Sequence, residues 1–275
     1  MDIYVISLTS AHSRRQGIQQ QFDTAKIDFE FFDAVRANET KHDFRSIDKG
    51  RCILNSGRLV TPLEVACFSS HKRLWQLSAM QNRSIVIFED DVELSECISE
   101  GLEVLDTVIA RFDFIKLETA KCKSQKQKAF VNGFTISVLN RCPHSAAAYA
   151  ISPNTARQLL CHSSVLTGPV DVFIKQYWRH GQAIHRIEPD LASLSVAAAN
   201  TMITDRPQNS MSPWRHFYRQ LYKLRGFVER AMFNTLLPLS KGLHTIITTM
   251  RASHLNKDQD AIHWIKSSYR RRTGK

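Results

Sequence analysis

The chain has 275 residues, of which 43% are hydrophobic, so it can form a core and a wholly disordered protein is excluded. The formal net charge is +11, and no apolar run approaches the roughly 18 residues of a membrane-spanning helix. The opening residues MDIYVISLTS lack the charged and apolar regions of a signal peptide. We therefore expect a cytoplasmic protein whose six scattered cysteines are free thiols.

The net positive charge lies near the C-terminus. Residues 206–275 contain 14 Lys and Arg and three acidic residues, whereas residues 1–205 contain 23 basic and 23 acidic residues. Such an asymmetry predicts two parts with different tasks. We expect an α/β domain over residues 1–205 and a basic, mainly helical tail over residues 206–275.

Predicted strands and helices alternate along residues 3–117. The predicted strands are 3–8, 27–35, 84–88 and 113–117. A first helix is predicted to begin at Ser13, a possible N-cap, and two further helices to span 61–81 and 98–112. Residues 36–60 are polar and predict a long loop. The alternation predicts a largely parallel, doubly wound α/β sheet, in which ligands bind beyond the carboxyl ends of the strands. The residues expected on that rim are Ser7, Asp33, Glu89, Asp90, Asp91 and Glu118.

Further elements are predicted in the second part of the domain. FTISVL (134–139) and AAAYAIS (146–152) predict strands, followed by a helix that Ser152 caps and Pro153 begins. VDVFIKQYWRHG (170–181) predicts a helix and AIHRIEP (183–189) a strand. The α/β pattern therefore continues well beyond the alternating part.

Three carboxylates, Glu89, Asp90 and Asp91, follow the apolar run 85–88 directly. Side chains alternate along an extended backbone, so Glu89 and Asp91 can face one side and Asp90 the other. Such a strand end suits a hard divalent cation, which takes one or two protein carboxylates and completes its shell with substrate phosphates. A metal bridging a diphosphate neutralises charge as that group departs. A solvated acidic turn that caps the next helix explains the triplet equally well.

Several segments follow one another in a recognisable order. They are VISL (5–8), FEFFDAV (29–35), LEVACFSSHKRLW (63–75), IVIFEDDVEL (85–94), FDFIKLET (112–119), AAAYAIS (146–152) and PVD (169–171). Together they resemble bacterial glycosyltransferase family 25, the lipooligosaccharide β-galactosyltransferases and their relatives, over about residues 3–190. The E-x-x-C-x-x-S-H segment combined with the E-D-D strand end carries most of the resemblance. Leu63 stands where members often carry glycine.

The resemblance implies a fold, an activity and a cofactor. The fold is a GT-A-like, Rossmann-type nucleotide-sugar domain with a Mn or Mg ion. The activity is transfer of a hexose with inversion, most often galactose from UDP-galactose, onto a lipooligosaccharide or lipopolysaccharide acceptor. By the same resemblance Asp91 is the metal ligand, and Glu89 and Asp90 contact the donor.

Polar residues near the other strand ends are candidate donor contacts. At least one of Arg14 and Arg15 is predicted to bind the diphosphate, because guanidinium groups pair with phosphate oxygens, although a solvated helix face also explains them. Asp33 either accepts hydrogen bonds from a uracil or ribose edge or forms a turn. Ser7 and Lys116 complete the set, with Lys116 facing either a phosphate or a neighbouring acid.

The predicted helix 61–81 carries polar residues on one face. Glu64, Cys67 and His71 share that face by their spacing. Inverting transfer forms no covalent intermediate, so we interpret Cys67 as core packing rather than as a nucleophile. His71 and Ser70 either contact the donor or brace the acidic strand end.

Inversion requires a general base that accepts the proton of the acceptor hydroxyl. Asp171 in GPVDVF is the first candidate, because it follows a turn, opens a helix and matches the family's P-V-D. Glu118, at the end of the strand 113–117, is the second candidate. A structural role for Asp171 as a helix N-cap is the alternative.

The tail contains WRHFYRQLYKLRGFVERAMF (214–233), with apolar residues at helical spacing and basic residues between them. This pattern is typical of a helix in a membrane interface, where each basic side chain contributes about 1 kcal/mol on an anionic surface. We therefore expect a peripheral protein on the inner face of the cytoplasmic membrane, close to a lipid-linked oligosaccharide acceptor. A helix packed on the domain is the alternative.

Two other function classes compete with glycosyl transfer. A Mg-dependent phosphohydrolase also places carboxylates at strand ends, but it usually has a nucleophilic Asp after the first strand, where this chain has SLTS (7–10). A nucleic-acid-binding module could use the aromatic and basic tail, but it leaves residues 1–205 unexplained. We expect a UDP-sugar and a lipid-linked acceptor, and no nucleic acid, as partners.

Overall fold

The computed structural model describes residues 1–40, 43–118, 125–195 and 213–236. Its strands are β1 (Asp2–Ser7), β2 (Glu30–Asp33), β3 (Ser46–Ile47), β4 (Ile85–Glu89), β5 (Val92–Leu94), β6 (Phe114–Lys116), β7 (Gln125–Val131), β8 (Phe134–Leu139), β9 (Ala148–Ile151), β10 (Val165–Leu166), β11 (His185–Glu188) and β12 (Ala192–Leu194). Its α-helices are α1 (His12–Ala25), α2 (Lys49–Ser56), α3 (Pro62–Gln81), α4 (Ile98–Phe112), α5 (Pro153–His162), α6 (Val170–Lys175), α7 (Tyr177–His180) and α8 (Pro213–Leu236). A short 3-10 helix spans Ala37–Glu39.

Eight strands form one mixed sheet in the order β2-β1-β4-β9-β6-β11-β8-β7. Strand β1 pairs in parallel with β2 and β4, and β6 with β11, whereas β9 is antiparallel to both of its neighbours, β4 and β6. The prediction of a largely parallel sheet is therefore wrong from β9 onward, where four of the five described strand pairs are antiparallel. A parallel return needs a long crossover, usually a helix, and the described residues between β6 and β9 contain none. The chain re-enters the sheet through the antiparallel pair β7–β8 and then β9.

Strand β4 lies in the core with helices on both sides. Residues 85–88 are fully buried. Val86 and Phe88 belong to the apolar cluster that contains Phe22 of α1 and the inner face of α4. Because side chains alternate along a strand, Ile87 faces the opposite layer, where Trp75 of α3 packs. The three carboxylates therefore begin at the point where β4 leaves the core.

Helix α2 occupies part of residues 36–60, so the prediction of a long loop there is wrong. The Asp48 side chain accepts a hydrogen bond from the Arg51 backbone N–H at the start of the helix. Gly57 ends the helix at φ +83°, in the left-handed region that favours glycine. Both signals are present in the sequence, but the helix has only eight residues.

The starts of two other helices differ in their agreement with prediction. At α3 the Thr61 side chain accepts from the Glu64 N–H, and the Glu64 carboxylate accepts from the Thr61 N–H, which completes a capping box. The predicted Thr61 cap is therefore confirmed. At α1 the N-cap is Ala11, which makes no side-chain hydrogen bond, so the prediction of Ser13 as the cap is wrong.

Helix α8 agrees with the helical spacing predicted for residues 214–233. One compact unit spans Met1–Arg230 and therefore includes most of α8, whereas the sequence predicted a boundary after residue 205. The second unit is Ala231–Lys275, of which the structure describes only the end of α8. Residues 206–212 and 237–275 of the predicted tail lie outside the described residues. No helix in the described ranges is both long and apolar enough to cross a membrane.

Buried His180 predicts a pH dependence of stability. Its Nε2–H donates to the Ile174 carbonyl oxygen at 3.1 Å, and its Nδ1 has no hydrogen-bond partner in the part of the chain that the structure describes. Burial lowers the pKa of His180 from 6.5 to about 4. Between these values the unfolded chain binds a proton that the folded protein does not, so stability falls as the pH falls. We expect this group to lower the free energy of unfolding by about 2 kcal/mol between pH ~7.5 and pH ~5.

Urea unfolding of the wild type and of H180Q at both pH values measures this contribution. Glutamine keeps an N–H donor for Ile174 and does not titrate, so the variant should lose about 2 kcal/mol less on acidification than the wild type. The exposed His12, changed to glutamine, is the matched control and should behave like the wild type. The same pH dependence in H180Q and the wild type would contradict the assignment.

Candidate active site

The strands β1, β2 and β4 end at the same edge of the sheet. In the parallel register Ser7 lies beside Asp33, and Ile6 lies beside Glu89. Strand β6 points the same way, because β9 between β4 and β6 is antiparallel to both. Glu118 follows β6 by two residues. The sheet therefore brings together the polar strand ends that the sequence placed on one rim.

Asp90 lies on the side of the strand end that faces α1. Ser7 Oγ donates to Asp90 Oδ2 at 2.5 Å, and Arg14 Nη1 pairs with Asp90 Oδ1 at 2.8 Å. Burial raises the pKa of Asp90, while these two partners oppose the rise. Both carboxylate oxygens are thus engaged. Asp90 can contact a donor through its remaining lone pairs or by exchanging one of these partners.

Glu89 is held from the other side by α3 and β9. Its Oε1 lies 3.0 Å from His71 Nε2 and 3.8 Å from Cys67 Sγ. His71 Nδ1 lies 2.8 Å from the Tyr149 hydroxyl, to which Trp75 Nε1–H donates at 2.9 Å. All these donors are satisfied when Tyr149 O–H donates to His71 and His71 Nε2–H donates to Glu89. This chain of hydrogen bonds orients Glu89, and it favours the bracing role that the sequence left open for His71.

Asp91 has a buried oxygen, Oδ1, without a hydrogen-bond partner in the part of the chain that the structure describes. Burial, and then the neighbouring charges of Glu89 and Asp90, raise the pKa of Asp91 to about 6. A divalent cation bound to this oxygen would give it a partner and would offset the repulsion from Glu89 and Asp90. Carboxylate oxygen is the ligand type that Mg²⁺ and Mn²⁺ prefer. The residues present therefore fit an ion of this kind, with Asp91 as the available carboxylate.

The acidic triplet shares its surroundings with Asp171. Burial raises the pKa of the Cys67 thiol well above its usual range, and the charges of four carboxylates add to the rise. These carboxylates, in decreasing order of effect, are Glu89, Asp171, Asp91 and Glu64. All four carboxylates thus lie within electrostatic range of the Cys67 thiol, and its raised pKa agrees with the interpretation that Cys67 is no nucleophile.

Asp171 lies in the first turn of α6, where the N-cap is Pro169. Its Oδ2 accepts from His144 Nε2 at 2.9 Å, and its Oδ1 accepts from the Val172 N–H at 2.7 Å. The Asp171 side chain is 31% exposed. A carboxylate that is oriented by two donors and still accessible suits a general base.

Glu118 and Lys116 form a buried ion pair. Lys116 Nζ lies 2.8 Å from Glu118 Oε1 and also donates to the Ser145 carbonyl at 2.8 Å. The Lys116 side chain is fully buried, and Glu118 is only 2% exposed. A base must reach the acceptor hydroxyl, so this geometry favours Asp171 over Glu118. For Lys116 it favours the pairing with an acid over a phosphate contact.

Arg15 joins the ends of β1 and β2. Its guanidinium donates to the Ser7 carbonyl and to Asp33 Oδ1, and it lies over the Phe31 ring at 4.7 Å. These contacts occupy Arg15 and one oxygen of Asp33. Arg14, whose side chain is 37% exposed, is therefore the arginine that is more accessible to a diphosphate. The donor-binding roles of all three residues stay predictions.

Three residues of the site were not identified from the sequence. Tyr149 and His144 are single polar residues within apolar or irregular segments. Arg58 makes two hydrogen bonds to the Glu64 carboxylate, which anchors the start of α3. Arg58 lies six residues before Glu64. This spacing is a weak signal of an ion pair, because a loop and a helix cap lie between the two residues.

Comparison with known families agrees with this arrangement. The sequence model described as "Glycosyltransferase family 25 (LPS biosynthesis protein)" matches residues 1–174. The chain belongs to glycosyltransferase family 25. The family 25 region runs from β1 into α6 and contains every predicted donor, metal and base residue, including Asp171.

Individual relatives of this family 25 chain carry related names. It is 38% identical over 175 residues to the "Lipooligosaccharide biosynthesis protein lic2B" of Haemophilus influenzae, covering 60% of this chain and 64% of the relative. A "Putative glycosyltransferase" of Haemophilus influenzae is 32% identical, with 60% of the relative covered. The chain thus spans less than two thirds of these two relatives. The "Lacto-N-neotetraose biosynthesis glycosyltransferase LgtB" of Neisseria gonorrhoeae is 29% identical over 82% of this chain and 89% of the relative.

The likeness of this family 25 chain to a solved glycosyltransferase structure is weak. The crystal structure of mouse xyloside xylosyltransferase 1 aligns over 67% of this chain and 71% of its own, with a TM-score of 0.33 and 13% identity. A likeness this weak says nothing about substrate or mechanism.

Proposed function

We propose that this chain is an inverting glycosyltransferase that moves a hexose, most simply galactose from UDP-galactose, onto a lipooligosaccharide or lipopolysaccharide acceptor. The observation that carries the proposal is the Asp91 oxygen at a strand end, which has no hydrogen bond among the described residues, with Asp171 within electrostatic range of the neighbouring Cys67. Diphosphate departure at a metal and a nearby proton acceptor are what inversion requires. The strand-end carboxylates support a GT-A-like nucleotide-sugar domain, and the names of the relatives support the acceptor class.

The donor is assigned to the rim around the acidic triplet. Asp91 would hold a Mn²⁺ or Mg²⁺ ion, which when bound supplies positive charge to the departing diphosphate. Arg14 can release its bond to Asp90 and pair with a phosphate oxygen. Glu89, oriented by His71, and the freed Asp90 can accept hydrogen bonds from the ribose hydroxyls.

The transfer step is assigned to Asp171. The acceptor hydroxyl oxygen attacks the anomeric carbon while the bond from that carbon to the diphosphate oxygen breaks. The hydroxyl proton moves to the Asp171 carboxylate, and the leaving UDP keeps the electron pair. His144 and the Val172 N–H hold the carboxylate in a fixed orientation during this step.

A screen of nucleotide sugars tests the function. Purified protein is incubated with UDP-galactose, UDP-glucose and other donors, with Mn²⁺ and with excess chelator, and UDP release is measured. We expect metal-dependent UDP release that a truncated lipooligosaccharide acceptor accelerates. Release of inorganic phosphate without sugar transfer would instead indicate the phosphohydrolase, and retention on nucleic acid at moderate salt would indicate the binding module.

Helix α8 packs on the domain, which agrees with one of the two interpretations of the tail. Arg179 Nη1 donates to the Tyr222 hydroxyl at 2.5 Å, and Trp178 Nε1 donates to Glu229 at 3.3 Å. Gly226 is buried against the indole of Trp178, where an added Cβ would lie 3.6 Å from the ring. The face of α8 that contacts α7 is thus largely polar and aromatic.

A row of apolar side chains on α8 stays exposed despite this packing. The apolar row consists of Trp214, Phe217, Tyr218, Leu221, Leu224 and Val228. The basic residues Lys223 and Arg225 of the same helix are also exposed. The combination supports contact of the apolar row with an anionic membrane surface, which would bring the enzyme to its lipid-linked acceptor.

We expect the full-length protein to co-sediment with anionic vesicles and not with neutral ones. Changing Phe217 and Leu224 together to serine should weaken this binding at least ~10-fold, because each large apolar side chain loses about 1.5–3 kcal/mol of burial. The exposed Gln220, changed to serine, is the control on the same helix and should bind normally. Salt at about 0.5 M should also weaken binding through screening. Unchanged binding by the double variant would exclude the apolar row as the contact.

A further inference from the structure

Cys67, His71 and Glu89 bring three types of metal-binding atom together. Their Sγ, Nε2 and Oε1 atoms lie within 4.8 Å of one another, with 3.0 Å between Nε2 and Oε1 and 3.8 Å between Sγ and Oε1. Bound to one zinc ion at ordinary bond lengths of about 2.0–2.3 Å, such atoms lie about 3.3–3.6 Å apart. Small side-chain rotations therefore suffice to close the group around one ion.

The backbone and the outer contacts of the group also suit a metal. Cys67 and His71 are four residues apart on α3, so one turn of helix places them on the same face. The other nitrogen of His71 is hydrogen-bonded to Tyr149, and such an outer contact is what orients a metal-binding imidazole. When the Tyr149 hydroxyl hydrogen rotates away from His71, the two lone pairs of the Tyr149 oxygen can accept from Trp75 Nε1–H and from His71 Nδ1–H together, which frees Nε2 for a metal.

The ligand set differs from that expected for the ion of the transfer reaction. Sulfur and imidazole nitrogen favour zinc, whereas Mg²⁺ and Mn²⁺ prefer oxygen alone. The unsatisfied oxygen of Asp91 does not belong to this group. Access is available from the rim through Glu89, whose side chain is 26% exposed.

We propose that Cys67, His71 and Glu89 form a zinc site separate from Asp91, and that zinc bound there inhibits the enzyme. As the sulfur–zinc bond forms, the thiol proton of Cys67 is released to solvent, and His71 moves its proton from Nε2 to Nδ1. Glu89 then exchanges its hydrogen bond with His71 for a bond to zinc and no longer serves the donor. The zinc site stands on its own geometry, whereas the inhibition rests on the proposed function of Glu89.

Cobalt(II) absorption tests the site directly. Co²⁺ added to the full-length, reduced protein should give a thiolate-to-cobalt charge-transfer band in the near ultraviolet that saturates at one equivalent and that Zn²⁺ abolishes. C67A should lose the band, and C161A, which removes an exposed cysteine, should keep it. Thermal melting is used to check that C67A is folded. C67S is a second variant, which keeps a polar group at this position. No band in the wild type, or a band that survives in C67A and C67S, overturns the site.

Zinc titration of UDP release, at saturating Mn²⁺, tests the inhibition. We expect inhibition that follows the spectroscopic binding curve, resists excess Mn²⁺ and becomes at least ~10-fold weaker in C67A, since loss of one ligand removes a bond of the site. C67A should release UDP normally without zinc. Inhibition that Mn²⁺ relieves, or that is equal in C67A, places zinc at Asp91 and overturns the inhibitory role. If no donor is turned over under any condition, the proposed function fails while the cobalt spectrum still decides the site.

Discussion

Replacing Asp91 with alanine should lower sugar transfer by about 10³-fold, because metal stabilisation of transition-state charge is worth several kcal/mol and about 1.4 kcal/mol is a factor of ten. The variant should also lose its response to Mn²⁺. Initial rates with UDP-galactose and a lipooligosaccharide acceptor measure both effects. Glu93, an exposed carboxylate two residues away on β5, is the matched control, and E93A should retain activity. Full activity of D91A, or of the wild type in excess chelator, would disprove the metal role.

Stability gives an independent readout of the same residue. The pKa of Asp91 is raised from 3.8 to about 6 in the folded protein, so the ionised carboxylate opposes folding above that pH, and the penalty disappears as the pH falls below about 4. In metal-free buffer at pH ~7.5, D91N should therefore unfold at a higher urea concentration than the wild type. Its free energy of unfolding should be larger by on the order of 2 kcal/mol. A variant that is inactive and more stable cannot owe its inactivity to misfolding. Lower stability of D91N would show that Asp91 has a partner in the fold.

Replacing Asp171 with asparagine should lower kcat by about 10²–10⁴-fold while the KM for the donor changes little, because the amide cannot accept the hydroxyl proton. Asparagine keeps an oxygen that can accept from His144, so the local geometry should survive. Rates at varied donor and acceptor concentrations separate the two parameters. Loss of donor affinity with unchanged kcat would make Asp171 a binding residue and Glu118 the leading candidate for the general base.

Two companion variants make the test of Asp171 sharper. H144Q keeps a donor for the Asp171 carboxylate, so it should reduce kcat far less than D171N if His144 only orients the base. A loss in H144Q as large as in D171N would indicate that the proton passes to the imidazole. E118Q breaks the buried pair with Lys116 and should lower stability, because it leaves a buried ammonium without its charge partner.

Local signals accounted for much of the secondary structure. Helix α4 begins and ends where its apolar periodicity predicts, at Ile98 and Phe112, and α3 starts at the predicted Thr61 cap. The buried strand β4 follows from the apolar run 85–88. These elements could be predicted because caps, periodicity and apolar runs act over a few residues. Short elements such as α2 and β5 carry too few residues for a pattern to emerge.

Strand order depended on information that no local pattern contains. Residues 146–152 were predicted as a strand and contain β9 (Ala148–Ile151), but nothing in them shows that β9 lies between β4 and β6 and runs antiparallel to both. That choice follows from the connection through β7 and β8 and from the packing of α3 and α4 on the two faces. The direction of a strand is set by the path that leads to it, whereas its apolar content only shows that it is buried.

The sequence by itself determined the carboxylates Glu89, Asp90 and Asp91 at the end of a buried strand, and their proximity to Ser7 and Asp33 through the parallel order of the first strands. Only the tertiary structure decided what each one contacts. It pairs Asp90 with Ser7 across 83 residues, and it holds Glu89 through a chain in which His71 and Tyr149 are 78 residues apart. It also leaves one Asp91 oxygen unsatisfied among the described residues and places Asp171 close enough to Cys67 for its charge to raise the pKa of that thiol. Residue type sets what a side chain can bind, but the partner that it meets depends on strand order and helix packing, because contacts over such separations form only when the whole sheet is assembled.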